Sequence, residues 1–173
     1  MPTRTVIESI ESEYRRYRKL GEGAIAQLTQ AQLCEVPPRA GNSVAMIAWH
    51  LSGNFRSRFT DFLASDGEKP DRDRESEFAP RDVSREELLR KWNEGWDLLF
   101  RALSELDDRH VSRMVTIRGL SLTVLAALLR SLAHASYHVG QLVFAGKMLR
   151  GPDWEYLTIP PGLSDRFNRN PTA

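Results

Sequence analysis

The sequence predicts an all-α protein, a four-helix bundle in a single domain. Three observations carry this. Four stretches, residues 4–28, 44–64, 84–106 and 120–149, space their apolar residues three and four apart, the period of a helix with one buried face. Turn and stop residues separate them: Pro37-Pro38, Asp66-Gly67, Gly119 and Gly151-Pro152. A chain of 173 residues, 41% hydrophobic and 27% charged, is long enough for one core and polar enough to enclose it. Four amphipathic helices of this length bury their stripes most simply against one another.

The first helix carries Val6, Ile7, Ile10, Tyr14, Tyr17, Ile25 and Leu28 on its apolar side, with Gly21 and Gly23 weakening its middle. Ser43 is placed to cap the second helix, whose stripe is Ile47, Leu51, Phe55, Phe59, Phe62 and Leu63. The run 68–81 is rich in Asp, Glu and Arg and reads as a solvated connection, long enough to cross an end of the bundle or cover the mouth of a site. Ser84 with Glu87 makes a capping-box pattern for the third helix, which holds Leu88, Trp92, Trp96, Leu99 and Leu103. Residues 111–117 contain β-branched side chains and suit a short extended piece before the Arg118-Gly119 turn. Ser121 and Thr123 are the two candidate caps for the fourth helix. A C-terminal arm follows from about residue 151, and its Trp154, Tyr156 and Leu157 are expected to pack on the bundle. The connections are not minimal, so spacing alone leaves the up-and-down order open.

The formal net charge is +1 with both signs interleaved, which argues against a nucleic-acid or anionic-membrane partner. No window approaches the ~20 apolar residues that span a bilayer. The single cysteine, Cys34, excludes an internal disulfide framework, and with no signal-type N-terminus a cytoplasmic, reducing location is expected.

The chemistry concentrates in the histidines. His134 and His138 are four apart and share one helix face. His50 lies midway along the second helix, so a bundle can bring ligands from two helices to one depth. Three neutral imidazoles suit Zn²⁺ or Ni²⁺ and leave positions open, whereas iron or manganese in a bundle calls for several inward carboxylates. Neutral imidazoles are needed, so affinity is expected to fall as pH drops through ~6.5. The plain reading, core histidines bonded to backbone or water, fits the bare pair equally well. Ala135 follows His134 where a zinc protease places its glutamate base, so that chemistry is not expected. Arg130 can bind an anionic substrate, Gln141 can orient a ligand and Asn54 can support the site; each also fits as a solvent-facing or helix-contact side chain. His110, in a charged loop, reads as a surface histidine, and Cys34 lacks the partners of a catalytic thiol.

A histidine in the second helix followed by His-x-x-x-His in the fourth resembles the DinB/YfiT-like superfamily of metal-binding four-helix bundles. Ala48-Trp49-His50-Leu51-Ser52-Gly53-Asn54, Asp66-Gly67-Glu68-Lys69-Pro70, His138-Val139-Gly140-Gln141 and the tail from Trp154 through Ile159-Pro160 to Phe167-Asn168 look like a bacterial subgroup without an assigned reaction. The resemblance implies up-down-down-up helix order, a divalent metal on His50, His134 and His138, and a homodimer. It also implies one of two roles: a metal-dependent S-transferase using a low-molecular-weight thiol, or a non-catalytic metal- or small-molecule-binding protein of stress response.

Overall fold

The structure, a computed structural model, describes residues 3–169; the last residues of the C-terminal arm, Pro171 among them, lie outside that range. It is 64% helical, with seven helices and two short strands. Four long helices, α1 (Thr5–Gln27), α3 (Val44–Phe59), α5 (Arg85–Ser104) and α6 (Val124–Arg150), share one hydrophobic core. The largest contacts are α3 on α5 and α1 on α6, and α3 also packs on α6. Short helices α2 (Gln30–Cys34), α4 (Arg74–Glu77) and α7 (Ser164–Arg169) lie in the connections and the arm.

α3 is the central element. Twelve of its sixteen residues are buried, among them His50 and Asn54, because α2, α4, α5 and α6 all pack on it. Its approach to α5 is close at Gly95, where a Cβ would lie 2.6 Å from the Ser52 Cα. Trp92, Trp96, Tyr14 and Phe55 fill the centre of the core. Tyr14 carries its hydroxyl inside by donating to the Leu128 carbonyl at 3.1 Å, tying α1 to α6.

Ser43 Oγ accepts from Met46 N and Ser84 Oγ from Glu87 N, so both serines cap their helices, but the return bond from the Glu87 side chain that a capping box predicts is not made. Two boundaries differ from expectation. The second helix, expected to reach residue 64, stops at Phe59: Thr60 turns extended and Asp61 adopts φ 48°. Phe62 nevertheless stays buried, so the apolar spacing that suggested more helix serves a packed turn instead. The fourth helix, expected from Leu120, starts at Val124. Residues Leu120–Thr123 form β2, antiparallel to β1 (Met114–Ile117), with Ile117 opposite Leu120. Arg118 (φ 55°) and Gly119 (φ 72°) make a two-residue turn with both φ positive, the geometry that joins twisted antiparallel strands. Of the two candidate caps, Thr123 is the one used, accepting from Ala126 N at 3.1 Å.

The segment between α3 and α5 is fastened rather than loose. Asp66 accepts backbone N–H groups from Glu68, Arg118 and Gly119 at 2.7–2.8 Å. Gly67 N donates to Thr116 O at 2.8 Å, so the segment is clamped to the hairpin. In the arm, Trp154 and Leu157 pack against the core as expected, whereas Tyr156 stays half exposed with Lys147 Nζ 5.2 Å from its ring centre.

Candidate metal centre

His50 from α3 and His134 and His138 from α6 meet at one depth, each offering a nitrogen within 4.8 Å of the other two. His50 is inward because α3 is buried on nearly every side. On α6 the histidine face runs beside the buried stripe Val124, Leu128, Ser131, Ala135, Val139 and Leu142. The expected juxtaposition of the two helices is therefore present.

Two of the rings are held by partners beyond them. His50 Nδ1 lies 2.8 Å from Glu77 Oε2; the carboxylate can only accept, so Nδ1 donates and the Nε2 lone pair faces the cluster. His138 Nδ1 donates to Gln141 Oε1 at 2.8 Å and presents Nε2 in the same way. This is the arrangement by which outer partners fix tautomer and ring orientation at metal sites. His50 Nε2 and His134 Nε2 are 3.1 Å apart, close to the ~3.3 Å separation of two nitrogens on a tetrahedral ion with ~2.0–2.1 Å bonds. The residues thus fit a divalent transition ion in donor type, in the tautomers of His50 and His138, and in the His50–His134 spacing; His134 Nε2, which donates to His50 Nε2 without an ion, would give up that proton to ligate.

Burial, then the neighbouring His138 and His50, pushes the His134 imidazole down to about 3. Burial and then His50 push His138 down to about 4, against a raising bond to Gln141. Both rings are therefore neutral well below pH 6.5, and proton competition for metal moves to lower pH than the ordinary histidine value implies.

Glu77 is the residue that spacing did not reveal. It stands at the end of α4, whose first turn is capped by Asp73 accepting from Ser76 N at 3.1 Å. It is buried, and Arg72 binds both its oxygens at 2.8 and 2.9 Å. Burial acts to raise its pKa, but the bonds from His50 and Arg72 outweigh this and hold it below the ordinary carboxylate range. Behind it, Glu68 receives Arg58 at 3.0 Å and Arg118 at 2.8 Å. Glu77 reaches His50 only because position 53 is glycine: a Cβ there would overlap the carboxylate, lying 2.7 Å from its Cδ. Phe78 covers the other side of His50, ring centres 4.5 Å apart. The signals available were the length of the 68–81 run and its Asp-x-x-Ser cap; both point to order without naming a carboxylate.

The cluster opens into a cavity of about 460 Å³. Asn54, Arg130 and Gln141, the three residues singled out beside the histidines, all line it. Asn54 is buried, Arg130 is exposed, and Gln141 bonds His138 as described. Tyr137 also lines the cavity, its ring 4.9 Å from that of His138. His110 lies outside the cluster, bonded to Asp107 in a 3-10 turn. A larger hollow of about 690 Å³ lies within the C-terminal arm, lined by Tyr156, Ile159, Leu163 and Phe167, with Arg166 its one charged residue. It offers no ligand cluster.

No helix among the described residues is long and apolar enough to cross a membrane. Comparison with curated proteins and with solved structures finds no match. A family model does match, and it covers residues 2–163, nearly the whole chain and all three histidines. The chain therefore belongs to the family described as "Protein of unknown function (DUF1572)".

Proposed function

We propose that this protein is a divalent-metal protein of DinB/YfiT-like architecture, with up-down-down-up helix order and one zinc or nickel ion held by His50, His134 and His138. The observation that supports it is the meeting of the three imidazoles, two of them fixed through Nδ1 so that Nε2 faces the cluster. When bound, an ion on three neutral ligands supplies an open coordination position and a Lewis acid that favours a thiolate over its thiol. The protein's own part is to orient. Glu77 holds the His50 ring, Arg72 holds Glu77, Gln141 holds His138, and Phe78 covers the His50 ring.

The reaction class proposed is transfer of a low-molecular-weight thiol to an electrophile. Cys34 is not among the cavity-lining residues, and its thiol faces the Val83 carbonyl at 3.6 Å, so the nucleophile is a small molecule rather than a protein side chain. One observation favours the second reading, a non-catalytic metal- or small-molecule-binding protein: among the described residues, no carboxylate lines the cavity to serve as a base. The homodimer implied by the resemblance belongs to the same proposal, with the exposed α6 side chains Leu129, Tyr137, Phe144 and Met148 as the candidate contact. A monomer by light scattering at micromolar concentration would remove it.

The test is elemental analysis of tag-free protein, expected to give close to one divalent ion per chain. Absence of uptake from zinc or nickel solutions defeats the proposal. Metal-loaded protein is then incubated with a panel of thiols and a monohalobimane. A metal-dependent rate supports the transferase; full occupancy without any rate above background selects the binding protein.

A further inference from the structure

The cavity wall is unusually rich in one chemistry. Arg58, Arg72, Arg74, Arg118 and Arg130 all line it, and no aspartate or glutamate does. Three carboxylates answer the five guanidiniums. Glu68 takes Arg58, Arg72 and Arg118, and Glu77 takes Arg72. Glu75 pairs with Arg74 at 3.1 Å, both largely in solvent, where such a pair contributes little. Arg130 makes no hydrogen bond or ion pair with any described residue. It stands one helical turn before His134, on the rim of the cavity. A concave wall with excess positive charge raises the local concentration of anions, and a divalent ion would add to that field.

A second observation is independent of charge. Ser131 is 8% exposed and lines the same cavity, and within the protein its hydroxyl has only the Tyr14 oxygen to turn to. His134 Nδ1, one turn away, is buried and has no hydrogen-bond partner. Buried polar atoms are nearly always paired. An orphaned nitrogen and an under-used hydroxyl on one wall, next to an uncommitted guanidinium, mark a place completed by something outside the protein.

We propose that the cavity takes a small molecule bearing an oxyanion, a carboxylate or phosphoryl group, with Arg130 gripping that group beside Ser131. The guanidinium fork matches such a group with two parallel hydrogen bonds, and about 460 Å³ is ample for a metabolite of modest size. This deepens the reading of the cavity as a metal centre and rests on it only in making the anion neighbour of the ion; the grip itself needs no metal.

The test uses protein stripped of metal by a chelator and dialysed, titrated calorimetrically with inorganic phosphate and with succinate at low ionic strength. At least one should bind, and the tighter of the two identifies a phosphoryl or a carboxylate site. Arg130→Gln should weaken it about tenfold or more, while Arg130→Lys, which keeps the charge and loses the fork, should fall between. Arg101→Gln, on the exposed side of α5, should leave it unchanged. All three variants should keep the wild-type helical spectrum. Equal affinity in Arg130→Gln and wild type overturns the proposal, as does failure of both anions to bind protein that still takes up one metal ion. That last result leaves the metal centre standing. Anion binding without metal uptake does the reverse: it supports this inference and sinks the metal reading.

Discussion

The three clustered histidines proposed as metal ligands and the side chains that hold them come from two unlike regions. The histidines sit on α3 and α6, helices whose apolar period fixes which way each residue faces, so that His50, His134 and His138 must point inward together. Glu77 sits on a four-residue helix in a charged segment where no period operates. In the first region, the side chain's direction follows from local geometry. In the second it follows from a set of tertiary bonds: Asp66 to the hairpin, Glu68 to two arginines, Arg72 to Glu77. The first region supplies the nitrogens proposed to hold a metal and the second decides how they are held, so the two differ in how much each should matter when altered.

Loss of a helix-borne ligand should have the largest effect. His50→Ala, His134→Ala and His138→Ala should each abolish measurable metal occupancy, a loss greater than the ~10–100-fold that outer partners contribute. His110→Ala should leave occupancy at the wild-type value. Retention of metal in all four variants would show that the cluster is a packing feature.

The loop should come next. Glu77→Gln keeps the size of the side chain and weakens its hold on His50, so metal affinity should fall ~10–100-fold with the fold intact. Gly53→Ala should act in the same direction from the opposite side, because the new methyl occupies the space of the Glu77 carboxylate. It is the sharper test, since it changes neither the ligands nor Glu77. Affinity unchanged in both would mean that the loop is a cover and that the comparison between the two regions fails.

This ordering also explains what was legible. The four long helices, the Ser43 and Ser84 caps, the inward histidines and the Arg118-Gly119 turn all follow from rules acting within about four residues. The end of the second helix was not legible, because Phe62 keeps helical spacing while Thr60 and Asp61 leave the helix. The β2 strand was missed because Leu120 and Leu122 fit a helix stripe as well as an antiparallel pair, and only the partner strand decides between them. The role of Glu77 was invisible for the same reason. A buried carboxylate between an arginine and a histidine has the same local sequence as a solvated one.

A smaller effect should appear in pH dependence. In the unfolded chain His134 and His138 titrate near 6.5; folded and metal-free, they do so near 3 and 4. Between those values the unfolded state holds more protons, so stability rises with pH and is lost as pH falls from about 6.5 towards 4. No such penalty operates above 6.5. The melting temperature of metal-free protein should therefore drop between pH 7 and pH 5 by more than that of a His134→Asn/His138→Asn variant. Parallel drops in both would place the acid sensitivity elsewhere in the molecule.

The smallest effect concerns the junction where helix and hairpin meet. Ser121 and Thr123 both suit an N-cap by residue type, but only Thr123 Oγ1 accepts an amide of α6, and Ser121 is an exposed residue of β2 opposite Thr116. Removing a capping oxygen costs roughly 0.5–2 kcal/mol, whereas a surface strand hydroxyl costs within about 0.5 kcal/mol. Denaturant unfolding should thus separate Thr123→Ala from Ser121→Ala by about 1 kcal/mol, with unchanged m-values. If α6 instead began at Leu122, the order would reverse, since Ser121 would be the N-cap and Thr123 would stand inside the helix. The histidine register would survive that reversal, because it is set by the buried face of α6 from Val124 onward rather than by the cap. Metal binding should be the same in both variants, so a change in metal affinity in either would tie the hairpin to the metal centre more closely than the bonds through Asp66 and Glu68 require.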